Sequence, residues 1–142
     1  MRALLISLTF LLAACGGGKE AAKETLAASA EVGVDVFAGS GRDRLCLSRD
    51  EGGPAGLVIF EAAGDANCMV RGTYDKANGF IVPTGDTLCR IPVFKSTSMV
   101  RLGDSSAFCA YYCGQNAVYA NRRFSLKPGA PPVTDIAGDP LC

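Results

Sequence analysis

Six cysteines, Cys46, Cys68, Cys89, Cys109, Cys113 and Cys142, limit the fold more than any other feature of this chain. An even set in a small domain reads as a disulfide framework wherever the compartment is oxidising. A bridge that closes a loop of about 15 residues contributes about 3 kcal/mol by restricting the unfolded chain. Zinc sites group cysteines in close pairs at two ends, often with His. This chain has no His and one close pair, Cys109 and Cys113, so no metal is expected. That pair has helical i,i+4 spacing, which sets Cβ atoms about 5–6 Å apart. A disulfide needs about 3.8 Å. The two should therefore bond elsewhere, each clamping the helix to a different part of the chain.

The seventh cysteine stands apart. Met1 and Arg2 form a short positive start, and residues 3–14 are apolar except for Ser7 and Thr9. A run of that length falls short of the roughly 20 residues that span a bilayer as a helix. With small residues at its end it reads as a secretory signal, removed from the mature chain. Leu12, Ala13, Ala14 and Cys15, followed by Gly16, Gly17 and Gly18, resemble the lipobox of bacterial lipoproteins. The resemblance implies that Cys15 becomes a lipid-modified N-terminus bearing two or three acyl chains. One chain holds only marginally, whereas two or more anchor a protein stably. Gly16 replaces the Asp that retains such proteins at an inner membrane, which implies the outer membrane, facing the periplasm.

This divides the chain into a signal peptide over 1–14, a lipid-anchored tether over 15–31 and a domain over 32–142. The tether is Ala-rich, with Lys19, Glu20, Lys23 and Glu24 and no apolar stripe, so a helix there is marginal. Without Arg2, 14 basic residues become 13 against 14 acidic, a balance of −1. That is no footprint for a nucleic-acid partner.

The domain reads as mainly β. Val32, Val34 and Val36 alternate with Gly33 and Asp35. Short apolar runs follow over 44–49, 56–61, 67–74, 80–82, 88–94 and 97–102, each ended by turn residues such as Asp65 or Asn78-Gly79. Their spacing of about ten residues predicts a small antiparallel sandwich or barrel. Pro92 predicts an edge strand or a bulge. Cys68 and Cys89 fall on apolar faces, which points their sulfurs inward.

One short helix is expected near 105–113, capped by Asp104 or Ser105 and ended by Gly114. Phe108 and Tyr112 would share its core-facing side. A last strand is expected within 116–126. Lys127, Pro128, Gly129, Pro131 and Pro132 exclude helix or central strand from the tail, and Cys142 would pin it. The pairing expected is Cys113 with Cys142, Cys68 with Cys89 and, by remainder, Cys46 with Cys109.

No residue set carries chemistry. Hydroxyl–imidazole catalysis is excluded by the absence of His. No Gly-x-Ser-x-Gly, Ser-x-x-Lys or Cys-x-x-Cys occurs, and Gly16-Gly17-Gly18-Lys19 lacks the rest of a phosphate loop. Asp65, Asp75, Asp86, Asp104 and Asp139 sit beside Gly or Asn or in other turn-like settings, where turn and cap roles are expected. A carboxylate-dependent hydrolase is the reading that nothing selects. No catalytic residue and no cofactor are expected. The residues with binding character are Tyr111, Tyr119, Arg122 and Arg123, because Tyr and Arg anchor interfaces.

Residues 108–114 and 135–142, with Cys46, Cys68 and Cys89 ahead of them, are similar to a group of small uncharacterised cysteine-containing lipoproteins of bacterial envelopes. That resemblance implies no activity. An architectural likeness is to membrane-bound inhibitors of c-type lysozyme, which insert a Ser-Gly-rich loop into the enzyme's cleft. Gly39-Ser40-Gly41-Arg42 is similar in flavour, although it precedes the clear strands. The expectation is a non-enzymatic, lipid-anchored envelope protein of binding or structural type, its partner an unidentified envelope protein or a glycan. An inhibitor of a hydrolase such as lysozyme is the alternative.

Overall fold

A computed structural model describes residues 33–60, 67–104, 106–114 and 117–142. The expected signal peptide, Cys15, the tether, Val32, the turn at Asp65 and the cap at Ser105 lie outside the described residues. The domain is a closed barrel of eight antiparallel strands, each paired with its sequence neighbours. They are β1 (Val34–Ala38), β2 (Arg44–Ser48), β3 (Pro54–Phe60), β4 (Asn67–Asp75), β5 (Phe80–Pro83), β6 (Ile91–Lys95), β7 (Met99–Leu102) and β8 (Arg123–Leu126). Closure comes from β8 returning to β1, with Phe37 opposite Leu126 and Ala38 opposite Ser125.

Alternation in the sequence becomes an inside and an outside. Phe37, Leu45, Leu57, Val70, Ile81, Ile91, Leu102 and Phe124 point inward and are fully or almost fully buried. Eight strands leave an interior just wide enough for such side chains to fill. At the end where β1 begins, Asp35 lies on the inward row. It accepts from Arg49 Nε at 2.8 Å and from Lys95 Nζ at 2.9 Å. Desolvation raises its pKa, but the two hydrogen bonds and the two cations outweigh this and hold it below the usual value.

The opposite end carries the expected helix, as a 3₁₀ helix over Ala107–Tyr112. Disulfides join Cys89 to Cys109 and Cys68 to Cys113, so the helix is fixed from both sides. The third joins Cys46 to Cys142. Cys109 and Cys113 do bond to different partners, but none of the three expected pairs forms. The reason is the tail. Val133 and Leu141 pack on the outer face of the barrel with Val58 and Cys46, a second apolar cluster beyond the interior. This carries Cys142 to Cys46 and away from the helix. Cys113 instead lies directly opposite Cys68, and Gly114 N–H donates to the Asn67 carbonyl at 2.8 Å.

Local chemistry accounts for other departures. Pro92 is neither on an edge nor in a bulge, since a closed barrel has no edge. Its carbonyl accepts from Gly103 N–H at 2.8 Å, just past the end of β7, so the missing donor falls where that ladder stops. The strand expected from 88 starts at Ile91 because Asp86 Oδ1 accepts from the N–H groups of Leu88 and Cys89. Ser106, extended and without a side-chain cap bond, precedes the helix, and Cys113 after it is extended too, so Gly114 closes no left-handed cap. Phe108, expected in the core, is 61% exposed.

Candidate functional site

The helix over 107–112 is short and has no acidic residue in its first turn or basic one in its last. Its position rests on the two disulfides instead. Between them stands Tyr111, 89% exposed. Tyr112 packs against the core and meets the Tyr111 ring edge-on at a centroid distance of 5.4 Å. The Tyr112 hydroxyl donates to Asp86 Oδ2 at 3.1 Å. Asp86 is held below its usual pKa by the N–H groups of Cys89 and Leu88, against slight desolvation, with a further contribution from Tyr112. The Tyr112 phenol is pushed up by desolvation and by that carboxylate. An exposed aromatic ring is thus mounted on a rigid base.

Beside Tyr111 a groove of about 810 Å³ runs along the outer face of β4, between the helix and the tail. Met69 lines its floor, Ile136 stands 70% exposed on the tail side, and Arg71, Asp135 and Asp139 are at its polar margin. Arg71 Nη2 donates to the Pro140 carbonyl, and Asp135 Oδ1 accepts from the N–H groups of Ala137 and Asp139 at 2.9 and 2.8 Å. The tail loop therefore shapes itself and is held to β4. The arrangement combines an aromatic face, a thioether and an aliphatic side chain with charges of both signs. That mixture of apolar and charged side chains gives the groove an amphipathic lining.

Compared with protein-family models, curated proteins and solved structures, the chain matches none of them.

The four residues with expected binding character do not meet. Tyr111 is in the groove. Tyr119 is buried, its hydroxyl donating to the Cys109 carbonyl at 2.8 Å, so it braces the helix from beneath. Arg122 Nε donates to the Val118 carbonyl at 3.1 Å, and its Nη1 lies 3.7 Å from Asp43 Oδ2. Arg123 is exposed on β8, facing another wall of the barrel. Met69 and Ile136 were missed. Met69 carried a signal, since it alternates with the inward Cys68 and Val70. Ile136 carried only its isolation among Asp, Ala and Gly.

Among the carboxylates, Asp75 and Asp86 serve turns. Asp75 accepts from Asn78 N–H and Nδ2 at 3.0 Å, which holds its pKa down. Among the described residues no three His, Cys, Asp or Glu side chains converge in metal-binding geometry. The loop Gly39-Ser40-Gly41-Arg42 joins two strands after all, as the β1–β2 hairpin, with Gly41 at φ 54°. Arg42 lies over the Phe60 ring at 4.1 Å.

Proposed function

We propose that this chain is a lipid-anchored cell-envelope protein of non-enzymatic binding type, carried on Cys15 and facing the periplasm from the outer membrane. Its partner is another envelope protein or a glycan. The observation that supports binding most is the position of Tyr111, an almost fully exposed ring between two cysteines that are each bridged to the barrel. The backbone beneath the ring is already ordered and need not be ordered on contact, which favours association. The filled interior directs any ligand to the outside, and the groove of Met69, Tyr111 and Ile136 is the amphipathic place for it.

Two measurements test the reading. The mass of the wild-type chain extracted from membranes should show acylation, and Cys15→Ser should abolish it and release the protein to the aqueous phase. A photo-crosslinking side chain at Tyr111 should give a discrete adduct in intact envelopes, lost with Ile136→Asp. An unacylated wild-type chain contradicts the anchor; equal labelling from Tyr111 and from Lys76, on a turn at the other end, contradicts the groove.

One observation favours a second reading, inhibition of a lysozyme-type hydrolase. The Ser-Gly loop is an exposed hairpin at the end of the barrel opposite the start of β1. Inhibition of c-type lysozyme at micromolar concentration, lost with Ser40→Ala and Arg42→Ala together, would establish it. No inhibition at that concentration removes it.

A further inference from the structure

The outer faces of β6, β7 and β8 carry one cross-strand row. Phe94 lies opposite Arg101, and Arg101 lies opposite Arg123. The Arg101 guanidinium sits 4.3 Å from the centre of the Phe94 ring, and its Nη1 donates to Asn121 Oδ1 at 3.3 Å. Like charges directly opposite each other on neighbouring strands are destabilising. Among the described residues neither arginine has a carboxylate within ion-pair distance. Asp35 is engaged by Arg49 and Lys95, and Asp43 by Arg122. Asp104 is exposed beyond the far end of β7. The row is therefore a pair of forked cations that lacks its anion.

Apolar side chains adjoin it. Phe94 is 54% exposed and Met99 47%, and with Ser96, Arg101 and Arg123 they line a shallow depression of about 310 Å³. Guanidinium groups match phosphate oxygens in bidentate geometry. A ring and a thioether beside them suit the boundary between headgroups and acyl chains. Position agrees with chemistry. Phe94 and Met99 flank the β6–β7 turn, which is at the same end of the barrel as the start of β1. The groove on β4 is on the opposite wall, since β4 and β8 are as far apart as strand order allows.

We infer that the outer face of β6–β8 rests on an anionic bilayer surface, with Arg101 and Arg123 holding lipid phosphates and Phe94 and Met99 entering the interface. Its setting rests on the envelope reading above, but its test does not require the acyl anchor. The full chain with Cys15→Ser, which carries no lipid, is sedimented with vesicles of equal parts phosphatidylglycerol and phosphatidylcholine, and with vesicles of phosphatidylcholine alone. Binding is expected only to the first, weakening as salt is raised. Each basic side chain near such a surface contributes about fivefold, so Arg101→Gln with Arg123→Gln should weaken binding roughly thirtyfold. The double variant relieves a like-charge pair but also loses the Arg101 contacts with Phe94 and Asn121, so its thermal midpoint should change little. Phe94→Ser should weaken binding too, and Lys76→Gln, on the β4–β5 turn, should leave it unchanged. Equal binding to both vesicles, or wild-type binding by the folded double variant, overturns the inference. Acylation of wild-type Cys15 is read separately by mass, so failure of the anchor and failure of this face are distinguishable.

Discussion

Leu141 occupies the space that a side chain on Gly56 would need. A Cβ built on Gly56 would collide with the Leu141 Cβ and come within 2.9 Å of Cys46 Sγ. Gly56 pairs with Cys46 on β2 and with Arg71 on β4, so the bare position is in the middle of the wall that the tail covers. Gly56→Val should destabilise the domain by about 1–3 kcal/mol through overpacking. Amide exchange at Leu141 and Val133 should accelerate, whereas amides of β6 and β7 keep their protection. Denaturant unfolding with site-resolved exchange checks both.

Replacing Cys46 and Cys142 together by Ser should leave the barrel folded and free the tail. The bridge spans 96 residues, and its loss should cost about 2–4 kcal/mol. Limited proteolysis should then cut within 128–140 well before it cuts the strands. The same groove is built partly from the tail, so crosslinking from Tyr111 should fall as well. Non-reducing peptide mapping should recover the three pairs Cys46–Cys142, Cys68–Cys113 and Cys89–Cys109.

Asp35 should give stability an acid limb. Its pKa is lower folded than its ordinary value of 3.8, so its contribution is present above that value and lost as pH falls through the folded one. Asp75 and Asp86 are shifted the same way by hydrogen bonds in their turns and add to the same limb. Asp35→Asn should lower the urea midpoint at pH 7 and flatten its fall between about pH 4 and pH 2. Lys95→Met should reproduce part of the loss at pH 7. An Asp35→Asn midpoint as steep in acid as wild type would assign the limb to other carboxylates.

The tyrosines should divide by role. Tyr119→Phe removes a buried donor from the Cys109 carbonyl and should cost about 1–2 kcal/mol. Tyr111→Ala should leave the unfolding midpoint unchanged, because its ring is in solvent. Partner capture should respond in the reverse order, abolished by Tyr111→Ala and retained by folded Tyr119→Phe.

The strands were legible because each is a short alternation between turns of definite chemistry. Asn78-Gly79 is the clearest, with Gly79 at φ 71°. The choice of barrel over sandwich was not legible. It depends on two register pairs between β8 and β1, Phe37 with Leu126 and Ala38 with Ser125, which no local pattern encodes. The disulfide pairing was not legible for a related reason. Spacing showed that Cys109 and Cys113 part company, but partner choice follows from where Val133 and Leu141 find apolar cover. Tyr119 and Tyr111 look alike as sequence. One is a buried brace and the other a surface ring, because the tertiary contact of a single hydroxyl separates them. The groove was half legible: Tyr111 stands out in the sequence, whereas Met69 and Ile136 acquire meaning only when β4 and the tail become neighbours.

The barrel's seams also bear on how such a domain comes into being. Seven of its eight joints link consecutive strands, and one waits for the last strand to arrive. Joints between consecutive strands close over short stretches of chain and form early. A chain that becomes available from its first residues onward can therefore zip up hairpin by hairpin. Locking with the first strand, and the oxidation that ties down the tail, come last.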